Sequence, residues 1–234
     1  MKVPDIKISV IIPFLNEEEN LISLLNYLRS IIDPMITEII FIDGGSTDRG
    51  VELLSKENAN CIRSTKQGRA AQMNLGASIS KGSILYFLHA DTLPHKKFQE
   101  ILIKADASSI SAGCFRYSFD SDRILLKINS WFTRFNGVFA GGGDQSLYIQ
   151  RMLFEKLKGF NEEYSIMEDF EFVGRLRKNY DFHVFHPSIL VSGRKYEKNS
   201  WLKVQFANLL AFSFFLVNQH PNKIKSVYQS ILEL

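Results

Sequence analysis

Short apolar runs rich in Val and Ile alternate with amphipathic stretches over roughly the first 105 residues, and this rhythm constrains the chain more than any other feature. Residues 7–14 (KISVIIPF) predict a fully buried strand, because the run is short and β-branched. Residues 17–31 predict a helix with Leu21, Leu24, Leu25 and Leu28 on one stripe. A second strand is predicted over 38–42, a helix over 47–56, a short strand over 61–64, a helix over 69–79 and a strand over 84–88. Strands apolar on both faces, separated by helices, indicate an α/β fold with a mostly parallel sheet covered by helices.

The rhythm then changes. Residues 111–119 read as a more exposed strand, with Phe115, Tyr117 and Phe119 alternating. An amphipathic helix is predicted over 122–135, a strand over 145–149 and a short helix over 152–156. A helix over 167–178, a strand over 182–191 and helices over 201–217 and 223–232 complete the pattern. No repeat or low-complexity linker divides it. The expectation is one domain over 1–198 and a helical extension over 199–234, packed on that domain or on a partner.

Cys61 and Cys114 share no metal-ligand spacing and read as buried thiols in a reducing compartment. Lys2, Asp5 and Lys7 interrupt any apolar leader after Met1. The longest apolar run, 206–217, contains Asn208 and Ser213 and falls short of the roughly 20 apolar residues that cross a bilayer. It suits a membrane surface or a homodimer interface. The expected location is the cytoplasm, with peripheral contact at the inner membrane face left open. A net charge of +3 is too small to point to nucleic acid.

Chemistry-bearing residues cluster where strands are predicted to end. In open α/β sheets ligands bind at the carboxyl ends of strands. The strand over 84–88 runs into His89-Ala90-Asp91-Thr92, where Asp91 either caps a turn or holds a divalent cation. The first strand ends in Pro13-Phe14-Leu15-Asn16-Glu17 and the second in Asp43-Gly44-Gly45-Ser46-Thr47-Asp48. Ser46 to Asp48 read as caps for the next helix, which leaves Asp43 to bind a ligand. Gly68-Arg69 opens a helix near the same rim, as an anion site or a solvated surface cation. The run Gly141-Gly142-Gly143-Asp144-Gln145 is a tight turn or a substrate loop.

Met167-Glu168-Asp169-Phe170-Glu171 begins a helix, where the dipole alone favours acids. Glu171 also stands four residues before Arg175, an ordinary surface pair. A carboxylate here also suits a general base for a hydroxyl nucleophile. Ser192-Gly193-Arg194-Lys195-Tyr196 places two cations beside a glycine, either solvated or facing a diphosphate. His183 and His186 read as structural. Neither a dinucleotide-binding glycine fingerprint nor a Walker loop is present.

Taken in order, IIPFLNEEEN, FIDGGSTD, GRAAQMNLGA, LYFLHADTLP, GDQSLYI and MEDFEFVGRLR with SGRKY resemble family-2 glycosyltransferases of the GT-A fold, from residue 8 to about 196. GRAAQMNLGA, LHADTLP and GDQ are most similar to a bacterial and archaeal subgroup associated with radical-SAM and selenium-related domains. The resemblance implies inverting transfer of a sugar from a nucleotide-diphosphate sugar to a hydroxyl acceptor; outside the core match, the aromatic face around Trp201, Phe206, Phe212, Phe214 and Phe215 suits a lipid-linked acceptor, a membrane surface or another subunit. It implies that Asp43, Pro13, Asn16 and Glu17 hold the nucleoside and that Arg69 and Arg194 meet the donor. It places His89 and Asp91 at the metal motif for Mn2+ or Mg2+. Asp169 would then be the base, and Glu168 and Asp144 would shape the acceptor side; as a substrate loop, the glycine run would bring Asp144 or Gln145 to sugar hydroxyls. His89 stands where the family usually has an aspartate, and imidazole suits Mn2+ better than Mg2+. A non-catalytic sugar-nucleotide scaffold and a nucleotidyltransferase are the competing readings.

Overall fold

A computed structural model describes residues 5–137, 140–142 and 144–232. The elements in chain order are β1 (Ile8–Phe14), α1 (Glu18–Ile31), β2 (Thr37–Asp43), α2 (Gly50–Lys56), β3 (Cys61–Arg63), α3 (Arg69–Ile79), β4 (Ile84–Phe87) and β5 (Thr92–Leu93). Then follow α4 (Phe98–Ala107), β6 (Ala112–Phe119), α5 (Ile124–Phe132), β7 (Leu147–Gln150), α6 (Arg151–Lys156) and α7 (Glu168–Leu176). The chain closes with β8 (His183–Val191), α8 (Lys195–Lys198), α9 (Trp201–Leu216) and α10 (Pro221–Leu232).

One sheet collects the strands in the order β3-β2-β1-β4-β7-β6-β8-β5. The first four pair in parallel. The antiparallel strand β7 then joins β4 to the second half. Every residue of β1 is buried, and its side chains divide with the period of two a strand imposes. Ile8, Val10, Ile12 and Phe14 face a core layer closed by α1 and α4, and Ile11 faces a layer closed by α3, α6 and α7. Val204 and Ala207 of α9 and Leu232 of α10 belong to the first layer. Among the described residues no helix is long and apolar enough to cross a membrane.

Several elements differ from expectation, and the short β5 and α8 were not foreseen. Helix α4 is new; Phe98, Leu102 and Ala105 give it a buried stripe. Helix α2 begins at Gly50 and not at Thr47. Arg49 is its N-cap, Asp48 just before it accepts from Gly50 N at 3.0 Å, and Ser46 and Thr47 bind the preceding loop. Cys61 and Cys114 are free, and burial pushes their thiols up to about 11 and about 12. Gly143 of the glycine run lies outside the described residues.

Candidate active site

The parallel register fixes where the site lies. Phe14 at the end of β1 pairs with Asp43 at the end of β2, and Phe87 at the end of β4 pairs with Ile11. Leu147 at the start of the antiparallel β7 pairs with Phe87, so the loop before β7 meets the same rim. Val191 at the end of β8 pairs with Thr92, and Ser192 N donates to Asp91 O at 3.2 Å. The predicted site segments therefore converge on one edge of the sheet, as the rule for open α/β folds requires.

Two of these loops are zipped together. Asn16, held at a left-handed φ of 55°, accepts from Thr47 N at 2.8 Å, and its own N–H donates to Ser46 Oγ at 2.9 Å. Asp48 Oδ2 accepts from Glu18 N at 2.9 Å and so ties α1 to the turn that starts α2. Gln72 of α3 donates to Phe14 O and Ile42 O, bridging the two strand ends. A Cβ at Gly44 would stand 3.0 Å from that amide, so the close approach of the loop depends on a bare backbone there.

Asp43 is fully buried and does two things at once. Oδ1 accepts from Gly45 N at 3.1 Å and Ser46 N at 2.7 Å, so Asp43 itself shapes the turn. Oδ2 has no hydrogen-bond partner, with Arg63 Nε 3.6 Å away. A buried acceptor without a donor is costly unless something supplies one. The sequence pattern did not mark Arg63 as belonging to this corner. Its position at the end of a rim strand was the available signal.

The charged centre lies beside this corner. Arg69, with its side chain 46% exposed, approaches buried Glu168 at 3.4 Å. Asp169 is buried next to it, and Met167 before them holds φ at 66°, a conformation that costs a non-glycine residue energy and recurs at functional sites. Burial, then the neighbouring Glu168, and more weakly Asp144, raise the Asp169 carboxyl well above the usual range, against the pull of Arg69. Burial raises Glu168 too, with Arg69 opposing. Burial, Asp144 and Glu17 raise Asp91. Burial works against the charge of Arg69, but Glu168, Asp169, Asp144 and Asp91 outweigh it and raise its pKa. Lys195 behaves alike: burial opposes its charge, and Asp144 leads the groups that overcome it.

Not every expected residue points into this centre. Glu17 Oε1 and Oε2 accept from Arg194 Nη2 at 2.8 and 2.9 Å, so these two hold each other. The Gln145 amide is engaged at both ends, accepting from Gly141 N and donating to Phe115 O. It braces the loop that carries Asp144. Glu171 pairs with Arg175 at 2.6 Å as its spacing suggests, but the pair is half-buried, with Arg175 also donating to Leu157 O and Gly159 O. Pro13, His89, Gln145 and Asp169 line one small cavity of about 10 Å³. Tyr196, the last residue of the SGRKY segment, and Tyr117 and Tyr228, which no motif marked, reach this region through their interactions with Asp144 or Lys195.

Among the described residues no three His, Cys, Asp or Glu side chains gather at metal-holding distance. The donor set still fits Mg2+ or Mn2+. Such ions bind through one or two carboxylates when substrate phosphates supply other ligands. Asp91, its charge disfavoured by burial and by Asp144 and Glu17, gains from a cation.

A rim of this composition at the carboxyl edge of a half-parallel sheet defines an α/β protein of GT-A architecture. Solved structures agree on the fold. Staphylococcus aureus TarS in complex with UDP-GlcNAc superposes with a TM-score of 0.69 at 16% identity, covering 97% of this chain and 72% of that one. Mannosyltransferase PcManGT from Pyrobaculum calidifontis, in complex with GDP-Man and Mn2+, gives 0.68 at 17% identity over 100% and 72%. Residues 9–189 match the model of glycosyl transferase family 2, and the chain belongs to that family.

Among curated relatives, Mycobacterium tuberculosis glucosyl-3-phosphoglycerate synthase is 29% identical over 105 residues, 41% of this chain and 32% of that protein. Glycosyltransferase AglE of Haloferax volcanii is 35% identical over 101 residues, 40% and 33%. The chain spans about a third of the length of these relatives.

Proposed function

We propose that this chain is an inverting glycosyltransferase that moves a sugar from a nucleotide-diphosphate sugar to a hydroxyl acceptor. The observation that carries this reading is the gathering of Asp91, Asp144, Glu168 and Asp169 with Arg69 and Lys195 at the carboxyl rim of the sheet. Family membership supports the reaction class. The sequences GRAAQMNLGA, LHADTLP and GDQ support the subgroup associated with radical-SAM and selenium-related domains. The free thiols support a reducing, cytoplasmic setting.

Asp43 offers its unpartnered Oδ2 to an N–H or O–H of the nucleoside, in a corner built by Pro13, Asn16 and Glu17. Arg69 and Arg194 face the diphosphate, Arg194 after release from Glu17. Asp91, with His89 beside it in the chain, would hold Mn2+ or Mg2+, which neutralises charge on the leaving diphosphate. Asp169 takes the proton of the acceptor hydroxyl. The acceptor oxygen then bonds to the anomeric carbon as the bond from that carbon to the phosphate oxygen breaks. The nucleoside diphosphate leaves with the electron pair, and the configuration inverts. A base is most effective when its pKa lies near the working pH, and the raised Asp169 carboxyl moves in that direction.

Release of nucleoside diphosphate from UDP-, GDP-, ADP- and dTDP-sugars with Mn2+ tests the reading. One donor should turn over, by transfer to water where acceptor is absent. Asp169→Asn should slow it about 10²–10⁴-fold while donor affinity holds. Full turnover by that variant would remove Asp169 from the role of base. Failure to bind or turn over any donor would contradict the transferase reading.

A further inference from the structure

Helix α5 buries Leu126 and turns its other large apolar side chains to solvent. Ile124 is 74% exposed, and Leu125, Ile128, Trp131, Phe132 and nearby Phe135 join it. The rings of Trp131, Phe132 and Phe135 pack on one another with centroids 5.0–6.3 Å apart, not on the core. Helix α9 buries Val204, Ala207 and Ala211, yet its outer stripe of Leu202, Phe206, Leu209 and Leu216 is also apolar and exposed. The two helices meet at Tyr196. Arg123 donates to its carbonyl at 2.6 Å, and Gln205 and Asn129 bond its hydroxyl.

Cations outnumber acids around these faces. The chain carries 25 acidic residues, but none falls in 123–143 or in 198–232. The first segment holds Arg123, Lys127 and Arg134, with Lys127 paired to Asp122 just before it at 2.8 Å; the second holds Lys198, Lys203, Lys223 and Lys225, with Glu197 just before it. An apolar face whose flanks carry more cations than acids complements a surface that is apolar below and anionic above. A second copy of this chain would bring like charges together instead.

We propose that α5 and α9 dock this chain on an anionic lipid bilayer, their exposed stripes entering the headgroup–acyl boundary and the flanking cations meeting lipid phosphates. This stands apart from the chemistry at the rim and does not rest on the transferase reading.

The chain has two tryptophans, so Trp201→Phe leaves Trp131 as a reporter on the docking face. With vesicles of phosphatidylcholine and phosphatidylglycerol, its emission should shift to the blue, and the protein should sediment with the vesicles. Both effects should weaken at high salt and with pure phosphatidylcholine. Phe132→Ser with Leu209→Ser removes two exposed side chains and should weaken sedimentation about tenfold or more, with the melting temperature unchanged. Absence of a shift with anionic vesicles would overturn the proposal. So would equal binding to neutral vesicles, or a solution dimer that the same double variant dissociates.

Discussion

Asp169 carries the sharpest tension at the residue scale. Its carboxyl is buried beside Glu168, and its pKa is raised in the folded state. Between the ordinary carboxylate pKa and that raised value the folded state binds more protons than the unfolded one. Stability therefore falls as pH rises through this window. Asp169→Asn removes the loss. Its melting temperature should match wild type near pH 4 and exceed it increasingly toward neutral pH, even as transfer is lost; a thermal-melt series across pH checks this. Arg69 pulls in the opposite sense, favouring the charged Asp169. Arg69→Gln should move the acidic limb of the pH–rate profile to higher pH, and a limb that moves downward would separate Arg69 from the base.

At the scale of elements, the site depends on close contact between α3 and the strands it covers. A Cβ on Gly76 would stand 2.3 Å from Ile11 Cγ2, inside the core layer that seats Arg69's helix. Gly76→Ala should lower stability by about 1–3 kcal/mol through overpacking, seen as a reduced denaturant midpoint with an unchanged slope. The strands of the parallel half were legible because a strand buried on both faces has to be apolar throughout. The rim was legible for the same reason: the polar residues follow directly where the apolar runs stop. Helix α4 escaped because its buried stripe, Phe98, Leu102 and Ala105, is short and interrupted by charge. The engagement of Gln145 with Gly141 and Phe115 depends on partners four and thirty residues away, which local pattern does not encode. The turn-forming role of Asp43 was similarly hidden, since an Asp before two glycines reads equally as a ligand and as a turn.

At the scale of the whole molecule, the C-terminal helices are part of the same core as the sheet. Val204, Ala207 and Leu232 share a cluster with β1 and α1. Unfolding should therefore be a single cooperative transition in which tryptophan fluorescence and far-ultraviolet circular dichroism report the same midpoint; an earlier fluorescence transition would make the segment after residue 198 an independent unit. The same closeness lets Tyr228 of α10 reach Lys195 at the rim, so the last helix borders the site. The central claim is that this rim grips a nucleoside diphosphate with help from a cation at Asp91. The most direct measurement is calorimetric titration of wild type and Asp91→Asn with UDP, GDP, ADP, CMP and dTDP, each with and without Mn2+. Wild type should bind one diphosphate tightly with Mn2+, and binding should weaken at least about tenfold without the metal or in the variant. Binding that ignores both Mn2+ and the substitution would place charge neutralisation on Arg69, Arg194 and Lys195 alone and contradict the metal assignment, and no binding of any nucleotide would contradict the claim itself.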